Sequence, residues 1–231
     1  QEIKKTVRQQ SSELAAGVYI AIQSGRDLNA TAAQIVARQD ISVIVGNNAN
    51  LDTATESDYY YKSSKKSGGG FLSKKTTVTI QEDSATREKG TLLSGNNVSV
   101  EAGKNILVNG SQVVGDEEVA LKAGENIDIL AATNTNSSWR FSETKKSGLM
   151  GSGGIGFTIG SSKTTHDLKQ KGTTQSQSVS TVGSTGGNVT IASGGQVHLN
   201  GSDVVAGKGI TVDSDNVLVT AGHDKHITDE V

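Results

Sequence analysis

The 231-residue sequence predicts an all-β fold, a parallel β-helix in which the chain winds in coils of about 21 residues. Three observations lead to this fold class: a repeat with two nested periods, short stretches of alternating apolar residues, and a composition with 28 Gly and no Pro. Interior strands exclude Pro, because Pro cannot donate a hydrogen bond to the next strand. Pattern and composition therefore agree on a stacked ladder of strands.

The long repeat occurs three times. The apolar stretch that begins at Val98 is matched by one that begins at Val189, 91 residues later, and by one that begins at Ile20, 78 residues earlier. A shorter period of 21 residues lies within the copies, since Val98 recurs as Val119 and Ile20 as Ile41. Because a short repeat can bury its apolar side only against a neighbour, nested periods of this kind are typical of solenoids.

One short period consists of three strands and three turns. Apolar residues alternate at Val98 and Val100 and again at Ile106 and Val108, which is the two-residue period of a strand. The stretches between them contain Gly and Asn, which suit turns because both tolerate positive φ. Three short strands in 21 residues predict one triangular coil.

Stacking of the coils puts each residue over the residue 21 positions later, so that side-chain amides can hydrogen-bond along the stack. The residues expected to form such turns and ladders are Gly25, Gly46, Gly103, Gly124, Asn105 and Asn126. We expect six coils, two in each of the ranges 14–55, 92–133 and 182–225. The whole range 1–231 is predicted to be one segment of a longer rod, since neither end has the polar cap of a solenoid end.

Two excursions, at about 57–90 and 135–181, interrupt the coils. They contain seven of the eight aromatic residues, and both carry the sequence Lys-Lys-Ser-Gly. Each is predicted to leave the rod as a β-hairpin and to return before the next coil. The candidate residues for contact with a partner or a membrane are Tyr59, Tyr60, Tyr61, Phe71, Trp139, Phe141, Leu149, Ile155, Phe157 and Ile159.

Two interpretations of these hairpins are open at this point. In the first, the aromatic side chains fold back and cover a flank of the rod. In the second, the hairpins are contact elements, because one-sided apolar hairpins of about 9–11 residues have the size of a membrane β-strand. Their exposed edges also invite pairing with another chain. Under both interpretations the aromatic residues lie outside the rod.

No pattern in the sequence predicts catalysis. The Gly-x-Ser-x-Gly, P-loop and His-Glu-x-x-His motifs are absent, and the acidic residues are too scattered for a pectin-processing enzyme, which is the enzyme class that this fold often hosts. His223 and His226 are interpreted as solvated side chains rather than metal ligands. Without Cys there is no disulfide, and a net charge of −2 gives no argument for nucleic acid. We expect no enzyme activity, no cofactor, no metal site and no nucleic-acid partner.

Several segments resemble filamentous-haemagglutinin repeats, and more narrowly the second, toxin-proximal repeat class of contact-dependent growth inhibition effectors, the CdiA-like proteins. The resemblance rests on the coil unit from Val98, the sequence Trp-Arg-Phe-Ser-Glu-Thr-Lys-Lys-Ser-Gly from Trp139, and the return at 180–191. The first copy departs from the pattern, because Tyr61 stands in the place of Trp139 and its excursion is shorter.

The resemblance implies a segment of a very large exoprotein that Gram-negative bacteria export by two-partner secretion and that ends in a C-terminal toxin. It implies a right-handed β-helix that is secreted to the cell surface, with a stage in the producer's periplasm. The implied partners are the outer-membrane transporter during export, the outer membrane or an envelope protein of a target cell, and the rest of the same long chain at both ends. A spacer or adhesive rod of a haemagglutinin-like adhesin is the alternative function.

Overall fold

The computed structural model describes residues 1–70, 73–151, 157–164 and 170–230, and these residues form an all-β structure. The strands are, in chain order, β1 (Glu2–Val7), β2 (Glu13–Ala16), β3 (Ile20–Ser24), β4 (Leu28–Thr31), β5 (Gln34–Ala37), β6 (Asp40–Val45), β7 (Ala49–Asp52), β8 (Ala54–Gly70), β9 (Ser73–Lys89), β10 (Leu92–Gly95), β11 (Asn97–Ala102), β12 (Ile106–Asn109), β13 (Gln112–Gly115), β14 (Val119–Ala123), β15 (Ile127–Leu130), β16 (Ala132–Gly151), β17 (Phe157–Thr164), β18 (Gln170–Ser178), β19 (Thr181–Ser184), β20 (Val189–Ser193), β21 (Gln196–Asn200), β22 (Asp203–Ala206), β23 (Ile210–Asp213), β24 (Asn216–Thr220) and β25 (Lys225–Glu230). Among the described residues there is no helix that could cross a membrane.

Three parallel sheets form the three sides of a rod. The first side consists of β2, β5, β10, β13, β19 and β22, the second of β3, β6, β11, β14, β20 and β23, and the third of β4, β7, β12, β15, β21 and β24. Each turn of the chain adds one strand to every side, so the rod has six coils. The predicted parallel β-helix is therefore confirmed.

The register of the strands continues across the excursions. Within one copy Val98 lies opposite Val119, as the 21-residue period requires. Between copies, Ile41 lies opposite Val98 and Val119 lies opposite Val189, although an excursion separates the two residues of each pair in the sequence. The excursions are thus inserted between coils and do not shift the apolar residues away from the core.

The core of the rod consists of aliphatic ladders. Val43, Val100, Leu121 and Ile191 follow one another on the second side, and each is fully buried with 0% exposure. Alternate residues of each strand point inward, and Val and Ile suit such a pleated, buried surface. The one aromatic residue of the coils, Tyr19, is 68% exposed. The narrow core therefore takes no aromatic ring from the coils.

The stacked glycines are required by close packing of the backbone rather than by positive φ. In the described residues, glycines with positive φ occur in the Asn-Gly-Ser turns and not in this stack. A Cβ added to Gly46 would collide with the carbonyl oxygen of Gly25 in the preceding coil, and the same holds for Gly103 over Gly46 and for Gly124 over Gly103. These glycines lie in the bends between the second and the third side, but positive φ is not what requires them there, because the constraint comes from the neighbouring coil.

Both excursions are β-hairpins, as predicted. In the first, β8 pairs antiparallel with β9, and in the second, β16 pairs with β18 in one part of its length and with β17 in the other. The hairpins also pair with each other through β9 and β16, from Thr86 opposite Thr135 to Ser73 opposite Gly148. With β1 and β25 at its edges, this antiparallel sheet has the order β1-β8-β9-β16-β18-β25, and we call it, together with β17, the lateral sheet.

The lateral sheet leaves the rod at a single corner, where the third side ends and the first side begins. Without an excursion, the chain turns this corner in a few residues, as it does between Asn109 and Gln112. The lateral strands have no extensive contact with the rod strands in the described part of the chain, and they pack against one another. Each coil of the rod is joined in the chain to one strand of the lateral sheet, so the coils and the lateral strands stack in the same order.

Candidate contact surface on the lateral sheet

A chain of buried hydroxyl groups holds the corner from which the lateral sheet emerges. The backbone N–H of Thr91 donates to Ser111 Oγ at 3.0 Å, and that of Ser111 donates to Ser180 Oγ at 3.1 Å. Thr91 Oγ1 donates to the carbonyl oxygen of Ala30 at 2.8 Å and accepts from the N–H of Ala33 at 3.2 Å. All three hydroxyl residues are at most 1% exposed. Because these buried hydroxyl and N–H groups have hydrogen-bond partners, they fix the conformation of the corner from which the lateral sheet emerges.

Sequence reasoning missed these hydroxyl residues, although a signal was present. Thr91, Ser111 and Ser180 each lie two residues before the inward-pointing apolar residue of the first side, which is Leu93, Val113 or Val182. In the sequence alone, where the stacking of the coils cannot be seen, each of these Ser and Thr residues has the features of an ordinary turn residue.

One face of the lateral sheet is aromatic and aliphatic in its inner rows and carries Lys65, Lys74 and Lys145 in its outer rows. Residues in register share a face, whereas consecutive residues of one strand point to opposite faces. Tyr61 and Trp139 flank Glu82 in one row, and Phe141 lies opposite Ile80 in the next row on this side. The rings of Trp139 and Phe141 stack with their centroids 6.1 Å apart and an interplanar angle of 15°. The residues of this aromatic face are Tyr59, Tyr61, Ile80, Trp139 and Phe141, and all are half-buried.

Glu82 lies among the aromatic side chains and affects one of them. Partial desolvation raises the pKa of Tyr59, and the charge of Glu82 and its hydrogen bond with the phenol raise it further. The phenol is therefore protonated over the whole range around neutral pH. The aromatic face carries no additional negative charge from this tyrosine.

The opposite face of the lateral sheet is cationic. The exposed basic residues of its outer rows, which we name the cationic face, are Lys62, Lys66, Lys75, Arg140 and Lys146, and the exposed acidic residue Glu2 lies opposite Lys62. Tyr60 also lies on this side, with Lys4 Nζ 5.6 Å from the centroid of its ring. Tyr60 is therefore separated from Tyr59 and Tyr61, because neighbouring residues of β8 alternate between the two sides of the sheet.

An ion cluster fastens the end of β1 to the hairpin of β8 and β9. Arg8 Nη2 donates to both carboxylate oxygens of Asp58, at 2.7 and 2.9 Å, and Arg87 Nη2 donates to the same carboxylate at 3.1 Å. Thr6 Oγ1 adds a hydrogen bond of 3.2 Å. The hydrogen bonds from Arg8 lower the pKa of Asp58, with a smaller contribution from Thr6 and from the charge of Arg87, against a desolvation that raises it.

Two grooves run along the same side of the sheet. The first, of about 490 Å³, lies near the base between Tyr60 and His226, over the small residues Ala85, Ser138 and Gly172. The second, of about 390 Å³, is lined by polar residues of β8, β9 and β16, namely Lys62, Ser64, Thr79, Gln81, Arg140 and Ser142, and it also borders Ile80 and Phe141, whose register places them on the aromatic face. Both are open depressions, since no second layer covers the sheet in the part of the chain that the structure describes.

The remaining candidate contact residues lie in the outer part of the excursions. Phe71 and Ile155 fall outside the residues that the structure describes. In backbone register, Leu149 lies opposite Ile159 and Phe157 lies opposite Gly151. The structure therefore places these three residues on two adjacent strands.

The asparagine ladder runs along the rod, away from the lateral sheet. Asn105 Oδ1 accepts hydrogen bonds from the backbone N–H of Asn126 at 3.1 Å and from Asn126 Nδ2 at 3.3 Å. Asn105 Nδ2 in turn donates to Asn48 Oδ1 at 3.1 Å. Near the C-terminal strand, His226 hydrogen-bonds to Thr174 at 2.9 Å, and no cluster of three metal-ligating side chains occurs among the described residues.

Comparison with known proteins gives a family. The sequence matches the family described as Hemagglutinin repeat over residues 1–76 and 68–230. It is 61% identical to the 16S rRNA endonuclease CdiA of Enterobacter cloacae subsp. cloacae and 60% identical to a tRNA nuclease CdiA of Escherichia coli, in each case over 99% of this chain and 7% of that protein. It is 43% identical to the deoxyribonuclease CdiA of Dickeya dadantii, over 96% of this chain and 7% of that protein.

The chain spans about 7% of the length of these curated relatives, so their nuclease names describe much longer proteins. No solved structure matches the chain. Stacked coils, paired hairpins and the sequence match agree with a structural repeat region. The chain belongs to the Hemagglutinin repeat family and is a repeat region of the kind found in CdiA-like proteins.

Proposed function

We propose that this chain is a non-catalytic repeat segment of a contact-dependent growth inhibition exoprotein, and that its lateral sheet contacts the outer membrane of a target cell during toxin delivery. The observation that carries the proposal is the aromatic face, which lies on a sheet of one layer that projects from the rod. Membership of the family implies a secreted or cell-surface exoprotein, which is the location that such a contact requires.

The aromatic face has the chemistry of a membrane-contact surface. Trp139 and Tyr61 combine a large apolar ring with a polar group, which is the combination favoured where an apolar phase meets water. Their burial comes from neighbouring side chains of the same sheet, since no rod strand packs extensively against the described part of the lateral sheet. This arrangement supports the contact interpretation over the interpretation in which the rings cover the rod.

The other parts of the proposal follow from the family. The nuclease activity that the relatives' names state is assigned here to regions of the long chain outside this segment, because the segment covers 7% of such proteins. The outer-membrane transporter of two-partner secretion is the proposed partner during export, and a stage in the producer's periplasm precedes contact. The rest of the chain continues the rod at both ends.

The geometry of the corner allows a direct test. Replacing 53–90 by one Gly joins Asp52 to Thr91, and replacing 131–179 by one Gly joins Leu130 to Ser180, both on the pattern of Asn109-Gly110-Ser111. The six coils keep their register, so we expect this shortened rod to fold with a β-type circular dichroism spectrum. In the full-length exoprotein it is expected to reach the cell surface and to lose killing of neighbouring cells.

The alternative is a spacer rod, which the regular stack of six coils favours. A spacer needs the coils and not the lateral sheet. Unchanged killing by the shortened full-length protein, at equal surface display, would contradict the contact role and support the spacer. A milder variant tests the same role. Trp139→Ala with Phe141→Ala keeps both hairpins and removes the stacked rings, and it is expected to reduce killing with unchanged surface display.

A further inference from the structure

We propose that the second groove and the cationic face around it bind the anionic phosphate headgroups of a lipid surface. This inference rests on the proposed function and adds to it the chemistry that the lateral sheet recognises. The aromatic face supplies apolar contact, with Lys145 on that side paired to Glu143 at 2.9 Å, and the opposite side supplies cations without an ion-pair partner among the described residues. The two contributions lie on opposite sides of one sheet, so substitutions separate them.

The groove places two cations around a polar floor. Lys62 on β8 and Arg140 on β16 both lie opposite Gln81, which is on the strand between them. Adjacent strands are about 4.8 Å apart, so the two backbones are roughly 10 Å from each other, and both long side chains can reach one phosphate group between them. The volume of about 390 Å³ is large enough for a headgroup.

Hydroxyl groups line the groove between the cations. Ser64 Oγ and Thr79 Oγ1 are 2.7 Å apart and lie in the row beyond Gln81, with Ser142 in the same row. Hydroxyl groups can donate to phosphate oxygens while the cations supply charge. The next row contains Thr77 and Thr144, whose hydroxyl oxygens are 3.2 Å apart.

The positive charge increases toward the outer end of the sheet. Lys66 lies in the row of Thr77, and Lys75 lies directly opposite Lys146 in the row beyond it. Like charges directly opposite each other are unfavourable unless an anion lies between them. In the part of the chain that the structure describes, none of the five cations of this face has an ion-pair partner. Glu2, which lies opposite Lys62, pairs instead with Lys4 at 3.2 Å.

The sequence around this surface favours a lipid surface over a nucleic acid. Beyond the lysines, β16 continues into Leu149 and Met150 and pairs with β17, which contains Phe157 and Ile159. Cations beside apolar residues are typical of elements that lie at a membrane surface. In the described rows beyond Tyr60, strand alternation places no aromatic residue on the cationic face. Phe141, which also lines the second groove, has its ring stacked on Trp139 and is not free to stack on a base.

The test measures binding of the 231-residue chain to sedimented vesicles. One set consists of phosphatidylcholine and the other of phosphatidylcholine mixed with phosphatidylglycerol, which carries a net negative charge. We expect tighter binding to the anionic set, and Lys62→Gln with Arg140→Gln is expected to weaken that binding roughly 30-fold, since each cation near an anionic surface contributes ~1 kcal/mol. Raised salt is expected to weaken wild-type binding in the same direction.

The matched control is Lys104→Gln with Arg26→Gln, which removes the same charges from exposed positions on the rod. An equal loss in the two double variants would overturn the headgroup site, as would equal wild-type affinity for both vesicle sets, and neither result affects the contact role. Tighter binding to duplex DNA than to anionic vesicles, lost in Lys62→Gln with Arg140→Gln, would also overturn it. Failure of the contact role has another signature, which is unchanged vesicle binding in Tyr61→Ala with Trp139→Ala, two residues of the aromatic face that do not line the second groove.

Discussion

Close packing between coils can involve single backbone atoms, because the glycines of successive coils lie one over another. An added methyl group at Gly103 would meet the carbonyl oxygen of Gly46, which belongs to the backbone of the preceding coil and cannot rotate away. At Gly25, which begins the same stack, an added methyl group has no neighbour within 4 Å. Residue type is thus set by position in the stack.

Gly103→Ala is expected to destabilise the chain by about 1–3 kcal/mol, the usual range for forcing a methylene group into a packed site. Urea denaturation followed by circular dichroism measures the change. Gly25→Ala is the matched control and is expected to change stability by no more than about 0.5 kcal/mol. Equal effects of the two substitutions would contradict the packing explanation.

The Asp58 cluster predicts a pH-dependent attachment of β1. A carboxyl group whose pKa is lowered by folding stabilises the folded state above its unfolded pKa of about 3.9, and this contribution is lost as the pH falls through the lower, folded value. We expect Asp58→Asn to reduce the hydrogen-exchange protection of the β1 amides at neutral pH. Wild type and variant are expected to approach each other below a pH of about 4 and to converge only below the lowered pKa that Asp58 has in the folded state. A difference of constant size down to the most acidic pH would exclude the ion cluster as its cause.

At the scale of elements, the two hairpins are coupled because β9 and β16 pair over 14 residue positions. The pairing joins an excursion of one repeat to an excursion of the next. The hydrogen bonds between the hairpins run along the direction in which the coils stack, and each coil adds one strand to the lateral sheet. The lateral sheet is therefore a single element built from distant parts of the sequence.

A crosslink tests this pairing without background, since the sequence contains no Cys. Ser84 on β9 lies opposite Ser137 on β16, and Thr173 on β18 lies in the same row one strand further. Ser84→Cys with Ser137→Cys is expected to form a disulfide on mild oxidation, detected by altered mobility in non-reducing electrophoresis. Ser84→Cys with Thr173→Cys, two strands apart at roughly 10 Å, exceeds disulfide reach and is expected to remain reduced.

The coils and the hairpins were predictable from the sequence, because a 21-residue period and alternating apolar residues are local patterns. The pairing of β9 with β16 was not, since it depends on both excursions leaving the rod at the same corner. The cationic face was hidden for another reason. Lys65 and Lys66 are neighbours in the sequence, but strand alternation sends only Lys66 to that face. Tyr60 was grouped with Tyr59 for the same reason.

At the scale of the whole molecule, each coil consists of three strands in the rod and one in the lateral sheet. The hydrogen bonds of all four sheets run along the same axis, because strands stack in that direction in every one of them. The cross-section is therefore a triangle with a flat extension at one corner, repeated from coil to coil.

This cross-section has a mechanical consequence. Tension along the axis is shared at every coil by four hydrogen-bond ladders acting side by side, so a single weak strand does not carry the load alone. Bending within the plane of the lateral sheet must stretch or compress its ladders far from the axis, whereas bending perpendicular to that plane does not. A fibre of such coils is expected to bend more easily perpendicular to the plane of the lateral sheet than within it. The lateral sheet therefore keeps its orientation relative to the rod when the fibre bends.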